Sequence, residues 1–219
     1  MKTRTRNMTI IIVVVLIPAL LLGAWMLAGY LPTRNVKTPG YTVLEKRAGY
    51  EVRQYEGYIV AETVQAGSHD QSLNAGFREL FQYISGNNSG KAKVPMTAQV
   101  LHSGDMAGHA IPMTAPVISQ STGSQHIVAF VMPPGSKRNE LPEPQSEAVT
   151  LREVPAHKAA VIAFSGNATG KLMKEKTATL LAYLARDGKK ALAGPQEAFY
   201  NPPWTPPFMR RNEVMVTIE

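Results

Sequence analysis

Thirteen residues near the C-terminus, FYNPPWTPPFMRR (199–211), hold the densest unusual chemistry in the chain. Four prolines stiffen a loop that carries Phe199, Tyr200, Trp204 and Phe208 and ends in Arg210 and Arg211. Rigid rings followed by fixed cations suit a planar amphiphile with carboxylates, because aromatic faces stack and a guanidinium grips an acid at two points. The same residues also suit a structural plug, with the rings buried at a barrel end and arginine bridged to an acid such as Glu213.

A second feature is the tetrapeptide Pro-Met-Thr-Ala, present in VPMTAQVL (94–101) and again 17 residues later in IPMTAPVI (111–118). Each copy opens an apolar run, and HSGDMAGHA between them reads as loop. Proline keeps the chain out of a helix, methionine fills irregular gaps, and threonine and valine suit a pleated surface. The copies are therefore expected to start two strands of one hairpin. Alternatively, Met96 and Met113 line a pocket for a flat apolar ligand or offer sulfur to a metal.

The five histidines, at 69, 102, 109, 126 and 157, have no spacing of the H-E-x-x-H kind. Each is expected at the surface or in a hydrogen bond, although folding can bring any of them to a metal as an axial ligand. Cysteine is absent, which removes disulfides, thiolate ligands and Cys-linked cofactors. No nucleophile elbow or phosphate-cradling loop occurs, and the acids show no paired catalytic arrangement, so no catalytic residue is nominated.

These groups must be held by a chain that divides plainly. Residues 1–7 are basic, and Met8 to Leu31 form 24 residues without a charge, long enough to span a bilayer as a helix. Lys2, Arg4 and Arg6 precede this run, and Arg34 and Lys37 follow it, which favours a cytoplasmic N-terminus and an exported C-terminal domain, periplasmic in a bacterium. A cleaved signal is the alternative, but the run is long for one and WMLAGYL offers no clean A-x-A. Residues 32–40 are a linker and 41–219 one domain. The net charge of +7 is concentrated at the N-terminus: beyond residue 36, 19 basic residues face 16 acidic ones. That excess gives no reason to expect a nucleic-acid partner.

Within the domain, YTVLEK, YEVRQY and YIVAETVQ read as strands. Leu73, Phe77, Leu80, Phe81 and Ile84 then fall at helical spacing, with Ser68 or Asp70 to cap the start and Gly86 to end it. Strands are expected over 94–102, 111–120, 125–132, 148–154 and 158–165, a second helix over about 169–186, and a proline-rich loop leading to a last strand. VRQYEGYIVAETVQAG (52–67) aligns with LREVPAHKAAVIAFSG (151–166) at a constant offset of 99, matching Arg53 with Arg152, Ala61 with Ala160 and Gly67 with Gly166. A doubled βαββ-like unit, two helices on one curved antiparallel sheet, is the α+β design this predicts.

YEVRQYEGYIVAETV, FRELFQYISGNN, IPMTAPV, AFVMPPG with LPEP, AFSG and YNPPWTPPFMRRNEV, taken in that order, resemble the SOUL haem-binding protein family from about residue 41 to the C-terminus. The resemblance implies a distorted antiparallel β-barrel or sheet flanked by two helices, built as a pseudo-twofold repeat. It also implies non-covalent binding of haem or an iron-free porphyrin, with no reaction firmly assigned. Some members carry an axial histidine in the first motif, where this chain has Gln54. Others pair haem propionates with basic residues beside the first helix, at positions matching Asn74 and Gln82, with Arg78 one turn from each and Phe77 beside it. The reading is a membrane-anchored tetrapyrrole-binding protein for capture, buffering or transfer outside the cytoplasm. The alternatives are an enzyme on a related fold, such as a small hydrolase or tetrapyrrole-modifying protein, and a module that docks a peptide or lipid. A buried, desolvated acid in the groove would favour the enzyme.

Overall fold

The computed structural model describes residues 12–31, 37–95, 99–103 and 125–219. A π-helical turn, Ile12–Leu16, leads into α1, Ile17–Tyr30, with Pro18 in its first turn. The 14 residues of α1 rise about 21 Å, less than a hydrocarbon core of roughly 30 Å. No helix among the described residues is long and apolar enough to cross a membrane. The span expected over 8–31 is therefore not met by α1, and residues 8–11 lie outside the described residues.

The domain is α+β. Its strands are β1 (Tyr41–Arg47), β2 (Tyr50–Tyr55), β3 (Tyr58–Ala66), β4 (Val100–Ser103), β5 (Gln125–Val131), β6 (Thr150–Val154), β7 (His157–Phe164), β8 (Gln196–Phe199) and β9 (Asn212–Ile218). Helix α2 spans His69–Ile84 and α3 spans Gly170–Arg186. The strands form one antiparallel sheet in the order β1-β2-β7-β9-β8-β4-β5-β3-β6, curled into a half-barrel with β1 and β6 at its ends. Without β1 that order is a palindrome about the β8–β4 pair. It matches β2 with β6, β3 with β7, β4 with β8 and β5 with β9. The first strand of each repeat pairs into the other repeat: β2 joins β7, and β6 joins β3. The duplication read from the 99-residue offset thus appears as a pseudo-twofold, and Gly67 and Gly166 share a φ of 118° just before the helices. Only glycine adopts that backbone cheaply.

Amphipathic periodicity explains the layering. Beneath α2, Leu80, Tyr83 and Ile84 pack on Ile59, Val128 and Phe130. Beneath α3, Met173, Leu180 and Leu184 pack on Val52, Ala160, Val214 and Val216. The alternate strand residues, among them Val60, Leu101, Ala129, Val161, Ala198 and Met215, form a third core on the opposite face of the sheet. Gly76 brings α2 close to β5, since a Cβ there would lie 2.5 Å from the Val128 Cβ. Ser68, one of the two caps the sequence offers, closes α2 in a reciprocal box with Gln71, and Gly86 follows the last turn at φ 116°.

Two local expectations change. Strand β4 covers only four residues, and both its edges over Val100–His102 are taken, by β5 and β8. The second Pro-Met-Thr-Ala copy, and with it the hairpin expected between the two copies, lies outside the described residues, as do residues 96–98 and 111–120. Gln196–Phe199, expected as loop, is strand β8, because its backbone closes the centre of the sheet between β4 and β9.

Candidate functional site

The polar chemistry gathers at the pseudo-twofold axis. The β4–β8 register is Val100↔Phe199, Leu101↔Ala198 and His102↔Glu197. Leu101 and Ala198 join the core on the far face, so their neighbours in sequence point toward the helices. At one end those neighbours are apolar, and Val100 and Phe199 pack beneath α2. At the other end they are His102 and Glu197, and the first residue of α2, His69, comes down onto them.

Two imidazoles share one carboxylate oxygen there. His69 Nε2 lies 2.7 Å and His102 Nδ1 2.9 Å from Glu197 Oε2. The far nitrogen of His69 lies 2.7 Å from Asp70 Oδ1, and that of His102 lies 3.3 Å from Ser72 Oγ. His126 stacks on His102 with centroids 4.9 Å apart, and the rings of His69 and His102 meet edge-on at 4.6 Å. The His102 side chain is 1% exposed, Glu197 14% and His69 18%, so the cluster is deep yet reachable from the His69 side. The hydrogen bond to Glu197 raises the His69 pKa to about 9, against the opposing effect of burial and with help from Asp70. Burial pushes Glu197 upward, but the hydrogen bonds from His102 and His69 outweigh it and leave its pKa below the usual value. Spacings of 24 to 71 residues hide this convergence in the sequence, where each histidine stands alone.

Of the residues proposed from sequence, those on α2 form an open flank. Asn74, Arg78 and Gln82 are exposed one turn apart. The Asn74 amide donates to the Asp70 carbonyl at 2.7 Å, and Arg78 makes no ion pair among the described residues. Phe77 is half-buried against Phe130, and its ring lies nearly parallel to that of Phe81, 10° apart with centroids at 6.1 Å. Phe81, placed in the apolar stripe by its spacing, is 48% exposed.

The proline-rich loop divides. Tyr200 is buried and donates to Glu213 Oε2 at 2.6 Å, while Arg211 covers its ring and bonds Glu213 Oε1 at 2.7 Å. Arg210 is spent on the Thr205 and Pro203 carbonyls and on Asn167 Oδ1. Both cations proposed for a ligand's acids are thus engaged within the fold, and this part of the loop acts as the plug. Trp204 and Phe208 remain exposed, and the Trp204 carbonyl accepts from the Trp25 indole of α1 at 2.9 Å. Met96 and Met113 lie outside the described residues. A separate open groove of about 810 Å³ beside Tyr58, Arg138 and Glu153 involves none of the residues proposed from sequence.

Residues 36–217 match the profile described as SOUL heme-binding protein. The chain belongs to the SOUL family. No curated protein matches the sequence. Among solved structures, the C-terminal domain of EcmrR is similar at 12% identity and TM-score 0.52, covering 82% of this chain and 98% of that one. A hydrolase from Listeria innocua is similar at 7% identity and TM-score 0.51, with 80% and 94% covered. An uncharacterized conserved protein from the same organism is similar at 10% identity and TM-score 0.50, with 78% and 92% covered. At such identities the likeness is one of fold.

SOUL membership suggests haem or another tetrapyrrole as ligand, and the α2 flank has residues to suit one. Phe77 and Phe81 offer an apolar aromatic edge, and Arg78 a cation for a propionate. Iron ligation from β2 does not fit, since the strand holds Gln54 where the axial histidine would stand, and an amide is a poor haem ligand.

Proposed function

We propose that this SOUL-family protein binds haem or an iron-free porphyrin non-covalently along α2, for capture, buffering or transfer outside the cytoplasm. The observation that carries this reading is the aromatic pair Phe77–Phe81 beside Arg78, which has no ion-pair partner among the described residues. Asn74 and Gln82 flank that cation as neutral hydrogen-bonding groups. The N-terminal segment holds the domain at a membrane, its N-terminus cytoplasmic. In support, α1 exposes Leu20, Leu21, Trp25 and Leu27, and it docks by Trp25 and Gly29 onto the loop that exposes Trp204 and Phe208. A hydrolytic reading, which the Listeria innocua hydrolase invites, would want an acid raised toward neutrality, whereas Glu197 is lowered.

Recognition by ring and propionate predicts similar affinity for haem and for protoporphyrin without iron. Titration of the full chain in detergent, followed by absorbance, tests this. Arg78→Ala should weaken both ligands about tenfold, the order of one charge-assisted hydrogen bond. Binding of neither at micromolar concentration refutes the reading. A spectral shift specific to haem and lost in one histidine variant would replace it with iron ligation.

A further inference from the structure

The His69–His102–Glu197 cluster is arranged as a ligand set, an inference that does not depend on tetrapyrrole binding. The hydrogens on its outer rim decide what faces inward. Ser72 Oγ donates its single proton to the His69 carbonyl at 2.9 Å, so toward His102 it is an acceptor. His102 therefore carries a hydrogen on Nε2, and its Nδ1 faces Glu197 Oε2 at 2.9 Å. His69 repeats the pattern: Asp70 takes the Nδ1 hydrogen, and Nε2 faces the same oxygen. Two imidazole nitrogens and a carboxylate oxygen thus converge on one point, where a metal ion would take the place of the hydrogens that now join them. A histidine whose outer N–H is given to a carboxylate or another acceptor while its inner nitrogen is free is how metal-binding imidazoles are held.

The geometry points to a divalent transition-metal site of the zinc class, with His69 Nε2, His102 Nδ1 and a Glu197 oxygen as ligands. The three ligand atoms lie within 4.8 Å of one another. A tetrahedral ion at 2.0–2.1 Å wants them roughly 3.3 Å apart, so small side-chain rotations from the hydrogen-bonded distances suffice. Two nitrogens and one oxygen favour zinc, copper or nickel over calcium or magnesium. The fourth position opens on the exposed side of His69, where water or a ligand atom can enter. Asp70 and Ser72 act as positioning residues behind the two imidazoles.

The test is zinc titration of the chelator-stripped full chain in detergent, in competition with a chromophoric chelator, with cobalt as a spectroscopic reporter. One zinc per chain at micromolar affinity or tighter is expected, with cobalt absorption typical of four-coordination. Binding should also release protons, read as heats that vary with the buffer. Glu197→Gln keeps the side-chain volume and should weaken binding at least tenfold. Asp70→Asn, at an exposed side chain, should weaken it about 10–100-fold. His157→Ala, on β7, should leave it unchanged. Affinity no better than millimolar, or wild-type affinity in both Glu197→Gln and Asp70→Asn, overturns the assignment and leaves a cluster held by protons alone.

Discussion

Arg53 and Arg152 occupy matching positions in the two halves, yet they live in different surroundings. Both stand on the strand that each half lends to the other, β2 and β6. The Arg53 side chain is 5% exposed and meets Glu213, which is fully buried. Arg152 is 38% exposed and grips Glu62 at two points, 2.9 and 2.7 Å. The difference comes from β1, which has no counterpart among the described strands of the second half. It covers the edge of β2 and lays the Tyr41 ring 4.4 Å from the Arg53 guanidinium, whereas β6 is an open edge. One added strand turns a surface ion pair into a buried one, and burial changes what such a pair is worth.

Removing the acid from each pair should separate them widely. Glu213 also accepts from Arg211 and Tyr200, and burial followed by the Glu213 charge holds the Tyr200 hydroxyl far above its ordinary pKa. Glu213→Ala leaves the buried Arg53 with only Glu51 at its rim and takes the buried acceptor from Tyr200, and should cost about 3–5 kcal/mol. Glu62→Ala should cost no more than about 1 kcal/mol. Urea unfolding of the full chain in mild detergent measures both. Equal costs would mean that β1 does not set the difference.

Arg53 and Arg152 also mark how far the sequence could be read. Their offset of 99 exposes the duplication because strand and helix periodicity repeats locally, and local pattern is what a sequence carries. The Arg211–Glu213 bridge is legible for the same reason, two residues apart where the loop enters β9. Strand β8 is not, because QEAF has no alternation of its own and becomes a strand only between β4 and β9. The site is least legible. His69, His102 and Glu197 meet only because the sheet brings β8 beside β4 and the pseudo-twofold brings α2 over that pair. Arg210 and Arg211 look available on paper, yet their partners are backbone carbonyls and Glu213.

The helix starts give a finer contrast between the halves. Ser68 accepts from the Gln71 amide, and the Gln71 side chain accepts from the Ser68 amide, so two free donors of α2 are satisfied. At α3, Thr169 accepts from Leu172 alone. Alanine at either cap should therefore cost about 0.5–2 kcal/mol, with Ser68→Ala at the upper end and Thr169→Ala at the lower. The shift in urea midpoint for each variant checks this. A larger loss from Thr169→Ala would show that the reciprocal bond adds nothing to α2.

The helix ends differ by a charge. Helix α2 stops at Ser85, but α3 stops at Asp187, a carboxylate at the negative end of the helix dipole, where it is disfavoured. Hydrogen bonds from Arg186 and from the Tyr50 hydroxyl at 2.8 Å overcome this and lower its pKa to about 2. Since the folded value lies below the ordinary one, the contribution is complete above about pH 4 and is lost as pH falls through about 2. Wild-type stability should thus fall more steeply between pH 4 and pH 2 than that of Asp187→Asn. The effect should be the smallest of these, because the group is close to solvent and salt screens it. Parallel slopes for the two proteins would mean that Arg186 and Tyr50 do not hold the carboxylate in solution, and that both helices end without help from charge.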